Sequence, residues 1–364
     1  MTRATTTIPF STIKFIDNIP RLSDLTERLT QKLREIRMEL SQREPARMTA
    51  AKAQSRYDLI TDADTIRIKR RAMRYLERLH NATGTRHLPQ RDEAMLTPLR
   101  GGLPVARIVT EHEADEIAAA LHAEMPWMAP ATEVVWHGLR ASARAGSPGL
   151  RFDPLVLVGS PGIGKSFWAR RLAHHLEVPT ISIDATGEPA AFSLVGAQRG
   201  WSSASPGKLI QTVLRERHAG PIAIIDEVEK FGNVQSSQGS RHTLTDALLP
   251  LLERMTAQTW ECPYYQIRVD MSWANWVMTA NSRWGLPAPL LSRCVVLDLP
   301  DLTGSQLQVF VEEQGAKRGL SRVAIDATSD TIQRATTAGC TPSLRTVNRM
   351  LDRVEFLAHR QLLQ

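Results

Sequence analysis

Along this chain the spacing of apolar residues changes period, and the changes divide it into regions. From Leu22 to Leu40 the apolar positions Leu22, Leu25, Leu29, Leu33, Ile36 and Leu40 recur at threes and fours. That is one face of an α-helix, and Ser23 or Asp24 can cap its first turn. The run is too short to favour a coiled coil over packing within a helical domain. Ile66 to Leu79 predicts a second helix. One side carries Ile68, Met73, Tyr75, Leu76 and Leu79; Arg67, Lys69, Arg70, Arg71, Arg74 and Arg78 form its wet side. Asn81 to Pro104 is punctuated by Gly84, Pro89, Pro98, Gly101, Gly102 and Pro104 and reads as a linker or irregular loop. Glu111 to Glu124 predicts a short helix. Pro126 and Pro130 then break the chain, and Ala131 to Arg144 predicts the helix that leads into the next domain.

Beyond residue 150 the pattern becomes short, continuous apolar runs separated by helical ones. Leu155–Val158, Thr180–Asp184, Ile222–Ile225, Asn275–Ala280 and Val295–Leu299 read as strands. Buried strands alternating with helices predict an α/β, doubly wound, mainly parallel sheet. After Pro300 strand character ends, and Leu302–Gly319, Asp330–Ala338 and Ser343–Leu363 read as helices. The expected organisation is a helical basic N-terminal region over 1–125, an α/β domain over 126–300 and a small helical domain over 301–364.

Composition narrows this picture modestly. A 364-residue chain with 42% hydrophobic and 23% charged residues is ordinary for a globular protein of two or three domains. No apolar run approaches a membrane span. The net charge of +7 admits acidic partners, nucleic acid among them. Without a DNA-binding pattern beside it, the basic 67–78 helix reads first as a solvated face, and a nucleic-acid partner is the less favoured alternative. Three scattered cysteines, Cys262, Cys294 and Cys340, show no metal-ligand spacing and suit a reducing compartment, here expected to be the cytoplasm. The first sixteen residues, rich in threonine and without an acid, read as a frayed terminus rather than a transit peptide.

The candidate chemistry lies at the ends of the strands. After Leu155–Val158 comes Gly159-Ser160-Pro161-Gly162-Ile163-Gly164-Lys165-Ser166-Phe167, a full match to G-x-x-x-x-G-K-[ST] at a strand-to-helix junction. Glycines there let backbone N–H groups converge on a phosphate, and the helix N-terminus adds partial positive charge. Lys165 suits the β- and γ-phosphates, and the Ser166 hydroxyl suits Mg²⁺. Ile222–Ile225 runs straight into Asp226-Glu227. Asp226 is the candidate magnesium acid and Glu227 the carboxylate that polarises water, which points to hydrolysis of ATP rather than kinase chemistry.

In this order of segments the chain resembles the AAA+ ATPases, and among them the ATPase module of Lon proteases, from about Phe152 to Leu357. Beyond the phosphate loop, Gly196–Lys208 resembles the Lon pore-loop segment, with Trp201 where the family carries an aromatic residue and Ser202 where it usually carries an aliphatic one. Ile225–Lys230 resembles the Walker B segment, Thr279-Ala280-Asn281 the sensor-1 strand end, and Leu286–Arg293 the segment ending in an arginine finger. Ser343-Leu344-Arg345 falls where the family has its sensor-2 arginine. The resemblance implies that Asn281 holds the attacking water or γ-phosphate, that Arg293 acts on a neighbouring subunit's nucleotide, and that Arg345 reads the γ-phosphate from the helical lid. It implies a homo-hexameric ring in which Trp201 grips a protein substrate. Arg349 and Arg353 share a face with Arg345, so a plain basic helix face rivals the sensor reading. No Gly-x-Ser-x-Gly elbow and no Ser-Lys peptidase constellation is recognised. The expectation is a Lon-like ATP·Mg²⁺ motor without its own protease, acting alone or with a separate protease. The alternative is an ATP-switched module acting on DNA or a DNA-bound complex.

Overall fold

The computed structural model describes residues 3–43, 60–185, 190–200, 204–232 and 244–358; for 41–43, 190, 231 and 232 it describes the backbone alone. The chain forms two compact units, one of residues 12–100 and the other of residues 1–11 with 101–364.

The smaller unit is helical: α1 (Leu22–Arg43), α2 (Asp62–Thr83) and the short α3 (Gln90–Met95). α2 begins in a capping box. Thr61 accepts from the Asp64 N–H while the Asp64 carboxylate accepts from the Thr61 N–H at 3.0 Å, so two otherwise orphan donors are satisfied reciprocally. The same carboxylate takes Arg37 of α1 at 2.7 Å, tying the two helices together. The Arg37 guanidinium, with Thr61, holds the Asp64 carboxyl well below the usual carboxylate range. Ile68 and Ala72 are buried. Met73 lies ~140° around the helix from Ile68 and is exposed, and Tyr75 is half exposed, so the buried stripe is narrower than the pattern predicts. The expected linker is largely ordered. Gly84 closes α2 in a left-handed conformation, Pro89 caps α3, and Leu88, Leu96 and Leu99 are buried. Its glycines and prolines mark element ends rather than loose chain.

In the larger unit the N-terminus is not frayed. β1 (Thr5–Ile8) pairs antiparallel with β2 (Leu103–Ala106), Ile8 opposite Leu103. Ahead of it Arg3 pairs with Glu113 and donates to the His175 carbonyl at 2.7 Å. The 12–100 unit is thus inserted between two paired strands. α4 (Glu111–Glu124) and α5 (Ala129–Arg144) follow, and both share one apolar core with the sheet: Ile117, Leu121, Met125, Trp127, Val135, Leu139 and Leu155. The boundary expected near residue 125 therefore does not divide the chain. Pro126 starts a single 3-10 turn whose Trp127 and Met128 are buried, and a proline at a helix start breaks the element without ending the domain.

The sheet has five parallel strands in the order β4 (Thr180–Asp184), β5 (Ile222–Asp226), β8 (Asn275–Ala280), β3 (Leu155–Val158), β9 (Val295–Asp298). The three central strands are buried throughout except at Asp226, which explains their continuous apolar runs. Edge strand β4 alternates exposed and buried residues. Helices α6 (Lys165–Leu176), α7 (Ala190–Val195), α8 (Lys208–Glu216) and α9 (Leu244–Leu252), the four-residue α10 (Arg254–Ala257) and the two-residue strands β6 (Trp260–Glu261) and β7 (Arg268–Val269) complete the α/β part, with α11 (Ala288–Leu291) ahead of β9. Trp260, Trp273 and Trp276 are buried in the core, whereas Trp284 is 89% exposed in the turn after β8. Three helices end the described chain: α12 (Gly304–Lys317), α13 (Arg322–Thr337) and α14 (Leu344–Ala358). α13 begins eight residues earlier than the predicted Asp330, at a Ser321 cap, and its core contacts Ile325 and Ile332 lie two turns apart.

Candidate nucleotide-binding site

The parallel strands end on one edge of the sheet, and the candidate residues arrive there from three of them. β3 delivers the loop 159–164 and the first turn of α6. Gly162 and Gly164 have φ of +86° and +98°, a conformation that side chains resist, and this curls the loop so that α6 starts directly at Lys165. The Lys165 ammonium donates to the Gly159 carbonyl at 2.5 Å, to that of Ser160 at 3.1 Å and to Asn281 Oδ1 at 3.3 Å. Burial pushes its pKa below the ordinary lysine value, against the opposing pull of Glu229, Asp226 and Glu227. Its bonds within the chain are to neutral oxygens, so a bound anion would exchange weak partners for a strong one.

β5 delivers Asp226. Its Oδ1 accepts from the Ser166 hydroxyl and, at 2.9 Å, from Thr279 Oγ1 of β8. A hydroxyl beside a carboxylate, both hard oxygen donors, fits Mg²⁺ retained with part of its water shell. Glu227 follows with φ +60°, a strained conformation for a residue with a side chain, and its carboxylate pairs with Lys230 at 2.5 Å. β8 delivers Thr279 and Asn281. The loop is backed by Trp127, whose indole N–H donates to the Ile163 carbonyl at 2.9 Å, and faced by the start of α14, where Leu344 N–H donates to the Gly162 carbonyl at 3.0 Å. A Cβ placed on Gly162 would sit 2.8 Å from Ser343 Cβ and 3.9 Å from Arg345 Cβ, so Arg345 starts its side chain beside the loop.

The fold thus brings together Gly159, Ser160, Pro161, Gly162, Ile163, Gly164, Lys165, Ser166, Asp226, Glu227, Asn281 and Arg345. Phe167 follows Ser166 on α6 and is exposed. Arg293 is not in this cluster. It bonds Glu253 Oε1 through Nε at 3.2 Å and Nη2 at 3.1 Å, and the Pro289 carbonyl through Nη1 at 3.1 Å. Trp201 lies outside the described residues.

Three further residues join the site to which the sequence assigned no role of their own, although Thr279 and Glu229 lie in the segments that resemble sensor 1 and Walker B. Thr279 accepts from the Glu227 N–H at 3.4 Å while donating to Asp226, so one hydroxyl ties both acids to β8. Its signal is a lone polar residue in the buried run Trp276–Ala280. Trp127, bracketed by Pro126 and Pro130, contacts both the loop and α12, its ring edge-on to Phe310 at 6.2 Å. Glu229 is the third; it lies in the Ile225–Lys230 segment that resembles Walker B, which by itself assigns it no role.

Residues 155–299 match the family model described as "ATPase family associated with various cellular activities (AAA)". Over those residues, on the five-stranded parallel sheet, the chain is similar to that family. Within that class it resembles the Lon proteases. It is 27% identical over 206 residues to the mitochondrial Lon protease homolog of Debaryomyces hansenii, covering 55% of this chain and 19% of that protein. It is 28% identical over 185 residues to the Lon protease of Heliobacterium modesticaldum, 50% of this chain and 22% of that protein. A peroxisomal Lon protease homolog 2 of Oryza sativa is 31% identical over 156 residues, 43% of this chain and 17% of that protein. The match spans about a fifth of the length of these relatives.

Proposed function

We propose that this protein binds ATP with Mg²⁺ and hydrolyses it, and that it uses the cycle to remodel or unfold protein substrates. The observation that carries the reading is the meeting of Lys165, Ser166, Asp226 and Asn281 at the C-terminal ends of three parallel strands, where open α/β sheets bind ligands. The main-chain amides of the loop and Lys165 would hold the phosphates. Ser166 and Asp226 would hold the metal, which supplies charge neutralisation at the β- and γ-oxygens. Glu227 would orient and polarise water once it exchanges Lys230, and Asn281 would fix the water or terminal phosphate. Arg345, beginning beside Gly162, would make the lid's position depend on the nucleotide. Arg293 is satisfied by groups outside its own site, which supports a role on a neighbour's nucleotide in a ring, here a homo-hexamer. Its guanidinium suits that role because the charge is permanent and the donors are spread.

The link to protein substrates rests on the Lon relatives and on Trp201, an aromatic in a glycine- and serine-rich loop that can grip polypeptide by packing alone. A separate protease as partner and a cytoplasmic site of action belong to the same proposal. Among the described residues no helix is long and apolar enough to cross a membrane. A second reading, an ATP-switched module on DNA, is favoured by one observation: all six basic residues from Arg67 to Arg78 on α2 are exposed.

The test is Trp201→Ala in the full chain. ATP hydrolysis retained with loss of turnover of an unfolded protein supports threading. Protein turnover untouched by the change, together with tight DNA binding that falls steeply with salt, transfers the function to the second reading.

A further inference from the structure

Glu229 stands where the chain has turned back from the nucleotide acids. The left-handed Glu227 bends the backbone off β5, and Val228 is fully buried as the anchor of the following 3-10 turn. The turn returns Glu229 to the end of β8. There Oε1 accepts from the Asn281 main-chain N–H at 3.1 Å. Its other oxygen, Oε2, is buried and has no hydrogen-bond partner among the described residues. A carboxylate oxygen left in that state carries the desolvation cost of an unpaired acceptor, and such a group calls for an explanation in the chemistry of the site. The segment after Asn281 leans on the same residue: a Cβ on Gly285 would lie 3.1 Å from the Glu229 carbonyl oxygen. Glu229 also heads the three carboxylates that oppose the loss of charge on Lys165.

We propose that Glu229 is a positioning residue for hydrolysis. It fixes the main chain at Asn281, so that the Asn281 amide stays on Lys165 at the terminal-phosphate end of the site, and its unpaired oxygen is the acceptor for the water held there. This rests on the ATP-hydrolysis reading above. Asn281 begins a turn rather than continuing the strand, so its N–H has lost a ladder partner and Glu229 replaces it. Removing the clamp frees the side chain that aims at the reacting phosphate while leaving the phosphate loop, Ser166 and Asp226 intact. The loss therefore falls on turnover and not on nucleotide affinity.

The experiment compares Glu229→Ala and Glu229→Gln with the unmodified full chain. Two readouts are used: steady-state ATP hydrolysis, and hydrogen exchange of the Asn281 amide in the nucleotide-free chain. Glu229→Ala should lower kcat on the order of tenfold to a hundredfold with KM for ATP changed less than about threefold, and should speed Asn281 exchange about tenfold or more. Glu229→Gln keeps an oxygen for the N–H bond and should restore the protection, while kcat recovers only in part, because an NH2 donor now stands where the proposal needs an acceptor for water. Unchanged Asn281 exchange in Glu229→Ala overturns the proposal, as does a change confined to KM. A Glu229→Gln variant that is folded yet no better than Glu229→Ala in both readouts also overturns it. Absence of turnover in the unmodified chain overturns the hydrolysis reading itself. Unmodified turnover that Glu229→Ala leaves intact overturns the role of Glu229 alone.

Discussion

The nucleotide end of the sheet and the inserted helical unit are built on opposite terms. Around Asp226, each polar side chain answers to several others: Ser166 and Thr279 converge on one oxygen, and Lys165 on three. In the 12–100 unit the polar contacts of the described residues are caps and separate pairs, among them Arg37 with Asp64, Arg100 with Asp17 and Thr85 with Glu93, while Ile36, Leu40, Ile66 and Met73 remain exposed. Convergent buried bonds fix a geometry to within the tolerance chemistry needs. Amphipathic helices joined by isolated pairs hold a surface in place and tolerate change. The comparison assigns chemistry to the first region and leaves recognition as the work open to the second.

That division can be broken by substitution. The largest effect should come from Glu227→Gln, which keeps shape and removes the base: ATP binding is retained and turnover falls on the order of 10³. Unimpaired hydrolysis would remove Glu227 from its role. Next is Lys165→Ala, which loses a charge-assisted partner of the phosphates; affinity for ATP by calorimetry should drop about a hundredfold, or roughly 2–3 kcal/mol. Near-normal affinity would unseat the phosphate loop. Smaller still is Thr61→Ala in the helical unit. It should cost about 1 kcal/mol of α2 stability by denaturant titration and leave nucleotide affinity unchanged; altered affinity would mean that the two units are not separable in function.

Acid sharpens the same contrast. On α4, Glu124 accepts from Arg171 of the phosphate-loop helix through two bonds of 2.6 Å, with His175 adding a third contact at 2.9 Å. The Arg171 guanidinium, with His175, lowers its pKa to about 2 against the cost of burial. A depressed carboxylate stabilises the fold fully above its unfolded value, 4.5, and the contribution is lost as pH falls from there toward about 2. The larger unit should melt at lower temperature at pH 3 than at pH 6, and Glu124→Gln should flatten that difference. An unchanged slope in the variant would show that other groups govern the acid response.

Much of the larger unit is legible in the sequence, because its signals are local. Glycines at 159, 162 and 164, a lysine and a serine after an apolar run, and two acids at the end of another need no partner to be recognised. Elements whose cause is distant were misread. Thr5–Ile8 has no amphipathic signature and becomes a strand only because Leu103–Ala106 lies beside it. The glycines and prolines from 84 to 104 look like a linker, since helix ends and loops use the same residues. Trp284 is of a core-forming type but sits exposed on a turn that no other described element covers. Glu229 is an ordinary acid in the chain and a clamp only once β5 and β8 are neighbours.

By itself, then, the sequence determined the strand-loop-helix that shapes the phosphate cradle, the alternating α/β order and the helical character of both ends. Backbone conformation and apolar period are set by residues a few positions apart, so one chain suffices to read them. Tertiary structure alone decided which strand lies beside which, and with that the Thr279 bridge, the Glu229 clamp, the Trp127 support and the insertion of 12–100 between two paired strands. Those depend on groups that are tens to hundreds of positions apart along the chain, and only packing brings them within reach of a hydrogen bond.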